Sequence, residues 1–280
     1  MTVNQQQSEA WNGAESGHYV DHADRYDRQL APFTDALLAC VQLEPHHSVL
    51  DVGCGCGATT IAAARVARTA LGADLSAPLL EVAADRARSA AVDNAEFVVA
   101  DAQTYDFDEG AFDLVISQFG LTFFDDPVSA FTNLRRALAS SGRIAFVCWQ
   151  GLEANQWVSV VGRAVAHHVA LPDLGGMAGG PGMFALKDPD ETTALLDAAG
   201  FTQIEIEPIS PTILLGGGAT LDDSIDFLLG MGIVRGLLGR LDSDARAEAI
   251  ESVRGTLAER YEPGVGVRLG TGAWLVSASK

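Results

Sequence analysis

The chain has 280 residues and a mass of 29.4 kDa, enough for one large domain or two small ones with a buried core. Hydrophobic residues make up 48% and charged residues 20%, which excludes a disordered polymer. The 37 Asp and Glu against 18 Lys and Arg leave a formal net charge of −19, so nucleic acid and anionic membrane surfaces are poor partners.

The first 47 residues are polar, then amphipathic. Between Tyr19 and Leu43 the pattern predicts one or two helices broken near Pro32, with Pro45 closing the region. A strand–helix alternation follows. Ser48–Val52 is a short β-rich run that ends in the glycine cluster 53–57, and residues 58–69 are Ala-rich and helix-forming. Thr69–Asp74 reads as a second strand, and Ser76 as the cap of a helix reaching about Ala91. Glu96–Ala100 and Phe112–Ser117 read as the third and fourth strands. Asp126 before Pro127 starts a helix, Gly142 stops it, and Arg143–Trp149 is the fifth strand.

The second half is less regular. Asn155–Ala170 is a candidate helix, followed by a Gly-rich loop at 175–182 that reads, with Met177, Met183 and Phe184, as an apolar lid. Asp188-Pro189-Asp190-Glu191 is a helix start, and Gly200 the matching stop. Phe201–Ile209 alternates like a half-buried strand, residues 220–260 look helical, and Val265–Ala278 reads as a final strand or hairpin. Strands alternating with helices predict a doubly wound, mostly parallel α/β sheet whose ligand lies beyond the carboxyl ends of the strands.

No window approaches the roughly 18 consecutive apolar residues of a membrane span, and the N-terminus lacks the pattern of a secretory signal. Cys40, Cys54, Cys56 and Cys148 form no zinc-like spacing, and no metal is expected. A soluble, cytoplasmic protein is the expectation.

The chemistry concentrates at three strand ends. Gly53, Gly55 and Gly57 follow the first strand, where a chain must turn tightly against a ligand. Asp51 lies two residues earlier; its carboxylate repels a pyrophosphate and welcomes an ammonium group. Asp74 ends the second strand, placed to accept ribose hydroxyls. Asp101 ends the third, placed to accept from an adenine amino group.

In that order these motifs resemble the class I S-adenosyl-L-methionine-dependent methyltransferases: LDVGCGCG, the GADLS acid, VADAQ, FDLVIS and GRIAFVCW. Within the superfamily the chain looks most similar to the small-molecule and quinone-biosynthesis-like group. The resemblance implies a Rossmann-like fold with seven strands, a reversed C-terminal β-hairpin and a helical cap. It divides the chain into an N-terminal cap at 1–47, a cofactor-binding core at 48–150, a substrate-cap insertion at 151–186, and a C-terminal completion at 187–280. It implies that Asp51, Gly53 and Gly55 meet the methionine part of the cofactor, Asp74 and Leu75 the ribose and adenine face, Asp101 and Ala102 the adenine edge, and Ser117 and Gln118 the sulfonium side. The product would be S-adenosyl-L-homocysteine, and the partner a small-molecule acceptor that is apolar or aromatic, methylated at O or C.

A hydroxyl acceptor needs a base, and Gln118–Thr122 offers none. His168 and His18 are the candidate bases; His46 and His47 read as surface, and His167 is an alternative to His168. Trp11, His18, Tyr19, Tyr26 and Phe33 are candidates to cover the adenosine or shape the acceptor pocket, and Trp149, Trp157 and Phe184 to line the acceptor side. The rival readings are an NAD(P)-dependent oxidoreductase using the same glycines, and a non-methylating protein that binds the same cofactor. Oligomeric state is not written in the chain.

Overall fold

The computed structural model describes residues 3–168, 170, 181–218 and 220–280. Three helices open it: α1 (Gln5–Trp11), α2 (Ala14–Asp21) and α3 (Ala23–Val41). Then come β1 (Ser48–Val52), α4 (Ala58–Ala64), β2 (Thr69–Asp74), α5 (Ala77–Ser89), β3 (Ala95–Val99), β4 (Phe112–Gln118), α6 (Pro127–Ala137) and β5 (Leu138–Trp149). The second half holds α7 (Gln156–Ala166), α8 (Pro189–Ala198), β6 (Thr202–Ile209), β7 (Thr212–Leu214), α9 (Leu221–Gly230), α10 (Gly232–Leu238), α11 (Ser243–Ala258), β8 (Tyr261–Glu262), β9 (Gly266–Gly270) and β10 (Ala273–Ser279).

Seven strands form one sheet in the order β3-β2-β1-β4-β5-β10-β6. β1 pairs parallel with β2 and β4, and β10 runs antiparallel to both β5 and β6. The order reverses between β1 and β4, so the loops after these strands flank a crevice. Alternate strand residues face opposite sides of the sheet. Val49, Leu114, Ile116 and Val147 enter one apolar cluster with Phe33 and Leu37 of α3. Leu50, Val115, Ile144 and Phe146 enter the other with Phe131 and Leu134 of α6. Both faces are thus covered, as the strand–helix alternation predicts.

Three helix starts carry the expected caps. Ser76 Oγ accepts from Leu79 N at 3.5 Å, Asp126 Oδ1 from Ser129 N at 3.0 Å, and Asp188 Oδ1 from Asp190 N at 2.9 Å.

Other expectations are corrected. Pro32 sits inside α3 without breaking it; Tyr26, Phe33, Leu37 and Val41 form a buried stripe across the proline, and such packing outweighs local propensity. Gly142 does not stop the helix. α6 ends at Ala137, and buried Leu138 already has extended backbone, so Gly142 lies within β5. Val265–Ala278 is not one element. β9 pairs with β7 and β8 in a separate three-stranded sheet, and β10 completes the large one. Asn155 makes the division: its Nδ2 donates to Gly272 O at 3.1 Å and its Oδ1 accepts from Gly272 N at 3.3 Å. The helix expected over 155–170 spans Gln156–Ala166, where it packs against α10 and α11.

Candidate functional site

A cavity of about 230 Å³ opens at the carboxyl ends of β1, β2 and β4. Its floor is the loop after β1. Gly53, Gly55 and Gly57 all adopt positive φ, of 68°, 53° and 79°. At Gly53 a Cβ would lie 2.7 Å from Gly120 Cα, so the loops after β1 and β4 touch backbone to backbone. Ser117 Oγ locks that contact: it donates to Val52 O at 2.7 Å and accepts from Gly120 N at 3.2 Å.

Asp74 shapes the loop from the neighbouring strand. Its Oδ2 accepts from Gly55 N at 2.9 Å and its Oδ1 from Ser76 N at 2.9 Å. Burial pushes its carboxyl up, and these backbone donors oppose the shift. Asp51 lies beneath the loop and is 1% exposed. Its Oδ2 accepts from Thr60 Oγ1 at 2.6 Å, while its Oδ1 is buried with no hydrogen-bond partner among the described residues. Burial pushes its carboxyl up to about 7, with the charge of Asp74 adding and the Thr60 hydroxyl opposing.

At the far end of the cavity, Asp101 and Ala102 line the wall. Asn4 lines it too, with its Nδ2 donating to both Asp101 carboxylate oxygens at 2.9 and 3.0 Å. The other end is aromatic and sulfur-rich. Phe119 stacks on Trp149 with ring centroids 3.9 Å apart, and Trp149 meets Trp157 at 5.8 Å. Met183 and Met231 also line the cavity. A second stack, Tyr19 on Tyr26 at 3.8 Å, covers the middle, and Trp11 meets Tyr19 edge-on at 5.5 Å. Phe119 has φ 64°, a left-handed conformation that is costly for an aromatic residue and holds the ring in the wall. Arg86 ties Asp27 of α3 to the loop: it pairs with the Asp27 carboxylate and donates from Nη1 to Cys56 O at 2.7 Å.

Of the residues singled out for a cofactor, Gly53, Gly55, Asp74, Leu75, Asp101, Ala102 and Gln118 line this one cavity. Asp51 and Ser117 do not; they lie behind the loops, and Ser117 is fully occupied in joining them. The structure brings neither candidate base to the cavity. His168 is exposed at the end of α7, with Nε2 4.0 Å from Glu248. His18 stands behind Tyr26, its Nδ1 2.9 Å from the Tyr26 hydroxyl, and packs on Phe227. Burial, aided by the positive fields of His22, Arg235 and Arg25, pushes its imidazole down to about 4. Such a histidine is a weak proton acceptor.

Trp11, Tyr19 and Tyr26 line the cavity, whereas Phe33 lies wholly beneath the wall, edge-on to Phe119 and Trp149. Phe184 is likewise fully buried in the core, and Met183 carries the exposed contact. Of the expected lid at 175–182, residues 175–180, including Met177, lie outside the described residues. Sequence reasoning missed Asn4, Phe119, Asp27 and Met231. Asn4 sits in a polar run with no pattern, and Met231 in a helical region distant along the chain.

Comparison with known proteins bears on the family and the fold. Residues 49–142 match the family model described as a methyltransferase domain. Methyltransferase GfsG of Streptomyces halstedii is 29% identical over 70% of this chain and 67% of its own. The crystal structure of YcgJ from Bacillus subtilis superposes with a TM-score of 0.58 at 19% identity, covering 88% of this chain and 97% of that one. Phosphoethanolamine N-methyltransferase 2 of Haemonchus contortus, solved with phosphomonomethylethanolamine and S-adenosylhomocysteine, superposes with a TM-score of 0.54 at 19% identity, over 89% of this chain and 52% of that one. At these identities the structural likeness is one of fold. The chain spans about half the length of the curated mycobacterial relatives it matches at 31% identity.

Proposed function

We propose, because this chain carries a methyltransferase domain of the class I Rossmann-like fold, that it methylates a small apolar or aromatic metabolite at oxygen or carbon with S-adenosyl-L-methionine as donor. The observation that carries the reading is the grouping of Asp74, Asp101 and the Gly53–Gly57 loop around one cavity whose other end is walled by Phe119, Trp149 and Trp157. Asp74 and Leu75 would hold the ribose and adenine face, and Asp101 and Ala102 the adenine edge. Asp51 Oδ1, buried without a partner among the described residues, suits the charge of an ammonium group above it.

Bound there, the cofactor supplies an electrophilic methyl group. The protein's own part is to orient and to exclude water. The aromatic end accepts a flat apolar ring, and the two methionines of the lining adapt to its outline. The described lining holds no Lys or His, and its carboxylates are already engaged: Asp27 by Arg86, Asp74 by backbone N–H groups and Asp101 by Asn4. An acceptor that ionises readily, a phenol, an enol or an activated carbon, therefore suits the site, with alignment supplying most of the rate. The helices of residues 1–47 and the described part of the segment 151–186 serve in this reading as the cap over the acceptor.

The test is incubation of the protein with methyl-labelled S-adenosyl-L-methionine and a panel of phenols, quinols and charged amines. Label should pass to a ring-bearing phenol or quinol. Transfer only to the amines would overturn the acceptor class. Cofactor binding with transfer to nothing in the panel would favour the non-methylating alternative.

A further inference from the structure

The N-terminal segment is fastened across the nucleoside end of the cavity by two asparagines, one at each side of it. Asn4 is 1% exposed and has φ 51°, a left-handed conformation that asparagine tolerates. Its Nδ2 donates to Asp101 Oδ1 and Oδ2 and to Gln103 Oε1 at 3.2 Å. Its backbone N donates to Asp125 Oδ2 at 2.7 Å, and its Oδ1 accepts from Asp125 N at 2.6 Å. At the end of α1, Asn12 Nδ2 donates to Leu75 O at 2.9 Å, and its Oδ1 accepts from Ala77 N at 3.2 Å. Between the two anchors Trp11 lies edge-on to Phe123 at 5.9 Å.

The anchors grip the same two loops, after β2 and β3, that the proposed function assigns to the adenosine. Asn4 and Trp11 line the cavity beside Leu75 and Asp101. A nucleoside reaching those loops from this side must pass the segment. Yet closure does not consume the binding site. Asp101 Oδ1 already receives Asn4 Nδ2 and Gln103 N, while Oδ2 receives Asn4 alone. A carboxylate offers about four acceptor positions. One on Oδ2 therefore stays open to an exocyclic N–H with the segment closed.

We propose that residues 3–13 form a latched flap over the adenosine end of the cavity, fastened by Asn4 to Asp101 and Asp125 and by Asn12 to the loop after β2, and that the flap must release for the cofactor and its product to exchange. The proposal rests on the cofactor reading above. The flap is held by polar contacts at its two ends and by half-buried Trp11 against Tyr19 and Phe123, with no fully buried residue in α1, so local opening costs less than global unfolding.

The test is stopped-flow binding of S-adenosylhomocysteine to the full chain, followed by tryptophan fluorescence, for the wild type, Asn4→Ala and Asn12→Ala. In the wild type the observed rate should saturate with ligand concentration, because opening limits it. Losing the Asn4 side-chain bonds should raise both association and dissociation rates, by roughly tenfold, the worth of one well-made hydrogen bond. Asn12→Ala should act in the same direction. Amide exchange over residues 3–13 should quicken in both variants without ligand. An unchanged association rate, with or without faster dissociation, would overturn the flap and leave Asn4 as a contact of the bound state. Binding by Asn4→Ala but not by the wild type would support the flap in its strongest form. If neither protein binds, the cofactor reading itself fails, and the flap with it.

Discussion

Thr60 Oγ1 donates to Asp51 Oδ2 at 2.6 Å, while Asp51 Oδ1 is buried with no hydrogen-bond partner among the described residues. A carboxyl raised from 3.8 to about 7 by burial is protonated in the folded protein where the unfolded chain is ionised. Between roughly pH 4 and 7 the folded state therefore holds the extra proton, and stability falls as pH rises through that window. Asp51→Asn should flatten this part of the stability profile, measured by denaturant midpoints from pH 4 to 8. An unaltered slope would place the titration elsewhere.

The same group links protons to ligand binding. A cationic amino group above Asp51 favours the ionised carboxylate. Binding of S-adenosylhomocysteine at pH 6 should release up to one proton, and at pH 8 almost none. Calorimetry at pH 6 in two buffers of different ionisation heat reads this directly. Heats that do not depend on buffer, or a dependence that survives Asp51→Asn, would contradict it.

Asp101 presents its carboxylate to the cavity and to Asn4. Asp101→Ala removes a charged acceptor worth roughly 1.5–3 kcal/mol to its donors. S-adenosylhomocysteine should bind about ten- to a hundredfold more weakly, while the melting temperature changes little. A calorimetric titration checks the first and a thermal melt the second. A large loss of stability instead would make Asp101 a structural residue of the loop.

Gly55 and Gly120 separate conformational from steric demands. A Cβ on Gly55 meets nothing within 4 Å, but φ is +53°, so Gly55→Ala should cost about 1–2 kcal/mol. At Gly120 a Cβ would lie 2.6 Å from Val52 O and 2.8 Å from Gly53 Cα. Gly120→Ala must part the two loops and should cost about 1–3 kcal/mol, with loss of ligand binding beyond that of Gly55→Ala. Denaturant midpoints and calorimetry on both variants check the order; the reverse order would contradict the contact.

Trp149 is sandwiched among Phe33, Phe119 and Trp157, all within 5.8 Å. Trp149→Ala should destabilise by about 3–5 kcal/mol, as truncation of a buried aromatic does, and Trp149→Phe by much less. Chemical denaturation decides. Equal effects of the two would mean that the indole's extra ring carries the packing.

What was legible in the chain follows from how local each signal is. β1 and β2 lie where β-rich runs meet glycine and aspartate, because strand ends beside tight turns are written in adjacent residues. The helix caps Ser76, Asp126 and Asp188 were legible for the same reason. Pro32 misled because the stripe that carries α3 through it is paid for by packing on β4 and β5. The separation of β9 from β10 depends on Asn155, more than a hundred residues earlier, as its bonds to Gly272 show. Residues joined only by tertiary folding, such as Asn4 with Asp101, leave no local pattern at all. The histidines stood out by chemistry alone, and the fold gave both of them other surroundings.

Titration calorimetry of the full chain with S-adenosyl-L-methionine and S-adenosylhomocysteine, with NADH as the control, decides whether the cavity takes S-adenosyl-L-methionine. One site taking both sulfur nucleosides at micromolar concentration, with no heat from NADH, is the expected result. Silence from both, or a site that takes NADH instead, would overturn the cofactor reading.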